Sequence, residues 1–142
     1  MKYLITGGAG FIGSNLADSL LNDGHEIVVV DNFNDYYDIE IKEKNVSQHE
    51  NNAHYKLYRF DIEDLQALKN IFANNHFDAV IHLAANAGVR PSIARPVAYF
   101  KSNVLGTINI LECLKESNCK KLIMASSSSV YGTQEKTPFS VD

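Results

Sequence analysis

Leu4-Ile-Thr-Gly-Gly-Ala-Gly-Phe-Ile-Gly-Ser14 is the stretch that decides the fold: an apolar run breaks into glycines and then turns amphipathic. Gly7, Gly10 and Gly13 make a G-x-x-G-x-x-G pattern at the end of a predicted strand. Gly7 allows a tight turn out of the strand, Gly10 removes a side chain where a pyrophosphate must approach backbone, and Gly13 lets the next helix pack close to the sheet. The free N–H groups and positive dipole end of that helix then point at the phosphates. The stretch reads as a dinucleotide-binding turn.

Working outward, Lys2 to Thr6 is a short strand, and Phe11, Ile12, Leu16, Leu20 and Leu21 recur at helical spacing until Gly24 ends the helix. Glu26-Ile-Val-Val-Val-Asp31 is apolar almost throughout, the pattern of a parallel strand covered on both faces. Asp31 stands 18 residues after Gly13, where a carboxylate can accept hydrogen bonds from an adenosine ribose. Its alternative role is a turn cap ahead of Asn32. No Lys or Arg follows until Lys42, so nothing nearby is suited to a ribose 2′-phosphate, and NAD is favoured over NADP.

Ile39 to Ser47 makes a short helix, His54 to Phe60 a third strand, and Asp61 to Asp64 caps a helix carrying Leu65, Leu68, Ile71 and Phe72. Phe77 to Ala85 is a fourth buried strand ending in small residues that leave room for a flat ligand. His82 lies within it, with no second ligand at a metal-binding spacing, and reads as structural. After a Gly88–Ser92 loop, Val97 to Ser117 reads as one long helix with Val104, Ile108, Leu111 and Leu114 along one side. Asn103 on that helix reads as a solvent-facing amide. Lys121 to Ala125 is a fifth strand that runs into Ser126 to Ser129, hydroxyls at the carboxyl end of a strand, where ligands bind in open α/β sheets. Residues 1–132 thus form one α/β domain of Rossmann type, and 133–142 a loop or tail. Right-handed crossovers give a doubly wound parallel sheet of five strands in the order 3-2-1-4-5.

Composition narrows the function. The 142 residues carry 13 Lys plus Arg against 17 Asp plus Glu, a formal charge of −4, and the basic residues are scattered, so nucleic acid is not an expected partner. The apolar runs are strand-length, far short of the ~20 residues of a membrane helix, and MKYLITGG enters a strand, so the expected location is cytoplasmic. Cys113 and Cys119 fit neither a zinc site nor a disulfide framework, and no metal is expected.

Taken in order, ITGGAGFIGS, Asp31-Asn32, Asp61-Ile62, His82-Leu-Ala-Ala85, Asn103-Val-Leu-Gly-Thr107 and Ser126-Ser-Ser-Ser-Val-Tyr-Gly132 resemble the extended short-chain dehydrogenase/reductase family, in its group of NAD-dependent epimerases and dehydratases. In finer detail Asp31-Asn-Phe-Asn-Asp-Tyr-Tyr37, Ala87-Gly-Val-Arg90 and Thr137-Pro-Phe-Ser-Val-Asp142 look most like UDP-glucuronate 4-epimerases. The resemblance implies that Gly7, Gly10, Phe11, Ile12 and Gly13 hold the NAD pyrophosphate and that Asp31 with Asn32 holds the adenosine ribose. It places Asp61 and Ile62 beside the adenine, the Leu83, Ala84 and Ala85 backbone beside the nicotinamide half, and Asn103 as an anchor for the loop after the fourth strand. Ser127 matches the active-site Ser or Thr, with Ser126, Ser128 and Ser129 as alternative registers. Arg90, Ser92 and Ser128 fall on the side of a UDP-sugar substrate.

In that family a tyrosine takes the proton of the sugar 4-hydroxyl while hydride leaves to NAD, and return of the hydride to the other face of the 4-keto sugar inverts the carbon. A lysine four residues later lowers the tyrosine pKa. Here the sequence departs from the family, because no tyrosine is followed by a lysine at that spacing. The later strands and the substrate domain are also missing. The expectation is therefore the amino-terminal portion of a nucleotide-sugar 4-epimerase, a truncated product or an excised piece, inactive by itself. Two alternatives are a non-catalytic nucleotide-binding or dimerising module and a fragment of a nucleotide-sugar 4,6-dehydratase. A fifth strand left as a sheet edge favours a homodimer.

Overall fold

The computed structural model describes residues 1–141, built around a parallel sheet in the order β3-β2-β1-β4-β5, the order expected. The strands are β1 (Lys2–Thr6), β2 (Glu26–Asp31), β3 (Tyr55–Arg59), β4 (Ala79–His82) and β5 (Leu122–Met124). Successive side chains of a strand point to opposite faces. Leu4, Val28, Val30 and Val80 accordingly pack with Leu68, Ile71, Ile110 and Leu114 on one side. Ile5, Ile27, Val29 and Ile81 pack with Ala17 on the other. Strands that are apolar at every position need this cover on both faces.

The first face is covered by α3 (Leu65–Ala73) and α6 (Gly106–Glu116), the second by α1 (Phe11–Asn22), with α2 (Ile39–Ser47) beside it. Local capping sets two of the starts. Asp38 accepts the Glu40 N–H at 3.0 Å, and Asp64 accepts the Ala67 N–H at 2.9 Å.

Two expectations are corrected between β4 and β5. The segment read as a Gly88–Ser92 loop contains a short helix, α4 (Val89–Ala94), and the helix read over Val97–Ser117 runs on continuously from α5 (Pro96–Tyr99) to α6 but widens between them into a π-helical stretch, Phe100–Leu105. Pro96 has no N–H to continue α4 and drives Arg95 out of helical geometry, at φ −130° and ψ 53°. The widened π stretch carries Asn103, and such widenings concentrate at functional positions. The apolar stripe is also divided: Leu114 is buried, but Val104, Ile108 and Leu111 are 43%, 48% and 46% exposed. Ile110, Cys113 and Asn109 are buried instead.

Cys113 and Cys119 are buried free thiols, and burial pushes that of Cys113 up to about 11. After a 3-10 turn at Ser128–Tyr131 no further helix or strand occurs among the described residues, and Asp142 lies outside them. No helix among the described residues is long and apolar enough to cross a membrane.

Candidate functional site

The glycine turn leaves β1 where the winding of the sheet reverses, between β2 and β4. Gly7 has φ +70°, and its N–H donates to the Val30 carbonyl at 2.8 Å. A Cβ on Gly7 would lie 2.8 Å from the Ala84 nitrogen, so the ends of β1 and β4 almost touch here. Gly13 serves a different contact from the one expected. A Cβ there would strike the Gly7 carbonyl and lie 2.7 Å from Gly8 Cα, so α1 packs on the turn itself. At Gly10 a Cβ would sit 3.2 Å from the Gly7 oxygen and 3.5 Å from the Tyr37 hydroxyl, in the mouth of the cleft. Gly10 precedes α1 without a side-chain cap, and the first turn holds no acidic residue. Phe11 and Ile12 are 79% and 65% exposed, leaving that helix end open to an anion.

Asp31 is buried at the carboxyl end of β2. Its Oδ2 accepts the Ala9 N–H at 3.1 Å and its Oδ1 the Phe33 N–H at 2.9 Å. The expectation is that nothing near Asp31 suits a ribose 2′-phosphate, the first basic residue after it being Lys42; a basic group does lie beside Asp31. Lys42, eleven residues on, returns from α2 to place Nζ 3.4 Å from Asp31 Oδ1 and 3.0 Å from Asn34 Oδ1, and it is itself buried. Asn45, one turn further along α2, donates to the Ala9 carbonyl at 2.9 Å. Helix α2 therefore braces both the carboxylate and the glycine turn. Asn32 donates to Asp61 Oδ2 at 2.7 Å. Asn32, Asp61 and Ile62 form one wall of a cavity of about 110 Å³, with Asp31, Gly7, Gly10 and the Leu83–Ala85 backbone around it. Ile62 is mainly a core residue, its side chain lying where a Cβ on Gly106 would collide with it.

At the end of β4, His82 is held by two hydroxyls. The Ala84 N–H donates to Thr6 Oγ1 at 3.3 Å, and Thr6 Oγ1 lies 2.6 Å from His82 Nδ1. Thr107 Oγ1 donates to the Asn103 carbonyl at 2.7 Å and lies 3.0 Å from His82 Nε2. With its proton committed to that carbonyl, the Thr107 oxygen accepts from Nε2–H, leaving Nδ1 to accept from Thr6. The neutral imidazole satisfies every partner. Asn103 is not a free amide: its Oδ1 accepts the Asn86 N–H at 2.8 Å and its Nδ2 donates to the Asn86 carbonyl at 2.9 Å, clasping the loop after β4.

Burial pushes the His82 pKa below the ordinary histidine range. The unfolded chain therefore takes up the proton first as pH falls. His82 is expected to favour the fold fully above about pH 6.5, its contribution falling off below that value towards the folded pKa. Urea unfolding at pH 7.5 and 5.5 checks this, with His82→Gln showing a shallower loss of stability on acidification; parallel losses would assign the slope elsewhere.

A second cavity, of about 560 Å³, shares the Leu83–Ala85 wall and opens between the loop after β4 and the serine run. Ser92, Asn103, Ser126 and Ser127 line it. Arg90 and Ser128 are exposed and are not among its lining residues. Ser127 Oγ accepts the Ser129 N–H at 3.2 Å and caps the 3-10 turn. Among the described residues no group of three or more His, Cys, Asp or Glu side chains is placed to hold a metal ion. The residues that sequence reasoning missed are Lys42, Asn45 and Thr107. Lys42 and Asn45 stand three apart, a spacing that puts both side chains on one face of α2.

Residues 4–142 match the family model described as GDP-mannose 4,6 dehydratase. The chain is 46% identical over 140 residues to a UDP-glucuronate 4-epimerase of Thermodesulfobacterium geofontis, covering 99% of this chain and 43% of that protein. Its fold is similar to that of a UDP-glucuronic acid 4-epimerase from Bacillus cereus, solved with UDP-glucuronic acid and NAD, at a TM-score of 0.85 and 36% identity over 96% of this chain and 43% of that one. It is also similar to a UDP-glucose 4-epimerase from Bifidobacterium longum, solved with NAD+ and UDP, at a TM-score of 0.82 and 32% identity over 100% of this chain and 42% of that one. The chain thus spans less than half the length of these relatives. With its glycine turn, buried Asp31 and sheet order, the chain belongs to the extended short-chain dehydrogenase/reductase family of NAD-dependent epimerases and dehydratases, matching an amino-terminal portion of its members.

Proposed function

We propose that this chain is the NAD-binding portion of a nucleotide-sugar 4-epimerase, with a UDP-glucuronate-type sugar as substrate of the whole protein. The observation that carries it is the buried Asp31 carboxylate lining one cleft together with a side-chain-free turn that leads into an uncapped helix end. NAD, when bound, supplies a reversible hydride acceptor. Gly10 and the first N–H groups of α1 would take its pyrophosphate. Asp31 would accept the adenosine ribose hydroxyls, held in place by Lys42, Ala9 and Phe33. Ala84 and Ala85 would present backbone to a flat ring at the carboxyl end of β4, and Ser127, which lines the second cavity, would stand on the sugar side.

Calorimetric titration tests this reading. NAD is expected to bind at least about tenfold more tightly than NADP, because a 2′-phosphate removes the hydroxyl that Asp31 would accept from; equal or tighter binding of NADP would sink the assignment. The chain alone is expected to turn over no UDP-glucuronate, since no Tyr-x-x-x-Lys pair is present in it. A dimerising role is favoured by the apolar surface of Val97, Phe100, Val104, Ile108 and Leu111 and by Ile123 on β5, all at least 43% exposed. A single monomeric mass at high concentration in sedimentation removes that second reading.

A further inference from the structure

We propose that residues 33–37 form a strap over the cofactor cleft, latched by the Tyr36 hydroxyl on the Ala87 carbonyl, and that opening of this latch gates entry and exit of the dinucleotide. The inference rests on the NAD reading of the cleft and adds a moving part to it.

The topology places the strap. Tyr36 follows β2 and Ala87 follows β4, while β1 lies between those strands. Any bond joining the two loops must cross above the glycine turn. One does: Tyr36 Oη donates to the Ala87 oxygen at 2.6 Å. The adjacent Tyr37 hydroxyl hangs over Gly10, and Asn34, Tyr36 and Tyr37 roof the cavity of about 110 Å³. Tyr36 and Tyr37 thus overhang the cleft that a dinucleotide would enter.

The strap also has a hinge. Phe33 has φ +50°, a left-handed backbone that a residue with a Cβ adopts only under constraint. Two contacts supply the constraint. Asp31 Oδ1 accepts the Phe33 N–H at 2.9 Å, and the Arg59 guanidinium lies 3.9 Å above the Phe33 ring. The left-handed residue bounds the strap at one end and the phenol bond at the other, with Asn34 held between them by Lys42 Nζ at 3.0 Å and the Tyr37 ring 5.2 Å from the same ammonium. The acceptor is steadied separately, because the Tyr99 hydroxyl on α5 also donates to the Ala87 carbonyl. Loss of the Tyr36 hydroxyl therefore frees the Tyr36 end of the strap and leaves Ala87 in place.

A gate and a ligand contact have different kinetic signatures. Weakening a gate raises the open fraction of both free and bound chain, so association and dissociation quicken together while affinity stays constant. Weakening a contact quickens dissociation alone. Tyr36→Phe in the 142-residue chain, followed by stopped-flow NADH fluorescence, is expected to raise both rates about fivefold with the dissociation constant unchanged. Unaltered rates, or faster dissociation with weaker binding, overturn the latch. Amide exchange in the ligand-free chain reads the same bond without cofactor: exchange of Phe33 and Asn34 is expected to quicken by a similar factor while Val29 is unaffected, and unchanged exchange also overturns it. Failure of the unsubstituted chain to bind NADH would overturn the cofactor reading itself, an outcome distinct from both.

Discussion

Asp31→Ala is expected to destabilise the chain by about 3–5 kcal/mol, the cost of breaking a buried ion pair from one side. The Lys42 side chain is 5% exposed, and without Asp31 its ammonium keeps the Asn34 oxygen and the face of the Tyr37 ring, 5.2 Å away, but no opposite charge. The Ala9 and Phe33 N–H groups lose their acceptor in the same step. Domains of ordinary stability hold about 5–15 kcal/mol in total, so the urea midpoint should fall steeply. Most of the cost is attributed to the stranded ammonium. Asp31→Ala combined with Lys42→Met should therefore recover more than half of the lost stability while NAD affinity stays low. A double variant as unstable as the single one would place the cost in the backbone amides instead.

Gly13→Ala is expected to cost about 3 kcal/mol, at the upper end for overpacking, and to weaken NAD binding at least tenfold. Propensity alone predicts the opposite sign, since alanine in a helix interior is favoured over glycine by about 1 kcal/mol. The contact decides. The added methyl strikes the Gly7 carbonyl and Gly8 Cα, both backbone atoms of a turn already held by Val30 and Ala84, and neither can rotate away. Gly24→Ala is the control: φ is +78°, but nothing lies within 4 Å of the new carbon, so only the left-handed penalty of about 1–2 kcal/mol applies. Chemical denaturation of the two variants side by side checks the ranking, and a stable Gly13→Ala chain would show that α1 slides freely on the turn.

Much of this site was legible before any coordinates. The unbroken apolar runs of β1 and β2 forced a sheet covered on both faces, and right-handed crossovers then fixed its order. Gly7 and Gly10 carried their geometry in their lack of a side chain. Other features were illegible for physical reasons. The π stretch and α6 together present two apolar stripes, one through Ile110, Cys113 and Leu114 and one through Val104, Ile108 and Leu111, and periodicity alone does not say which meets the sheet. Lys42 follows Asp31 by eleven residues, and nothing in that spacing says that α2 folds back onto the end of β2; Arg90, placed on the substrate side by resemblance, is not part of the cavity wall.

The sequence by itself determined the strands, the turn at Gly7 to Gly13 and the acidic residue at the end of β2, because side-chain period, chirality and glycine content act within a few residues of their cause. Only the tertiary structure decided which distant groups share a site: Lys42 on Asp31, Asn103 on Asn86, Thr6 and Thr107 on His82, Tyr36 on Ala87. Each of these contacts depends on the close approach of separate elements across the sheet, and a hydrogen bond formed over a few ångströms leaves no periodic trace in the chain that makes it.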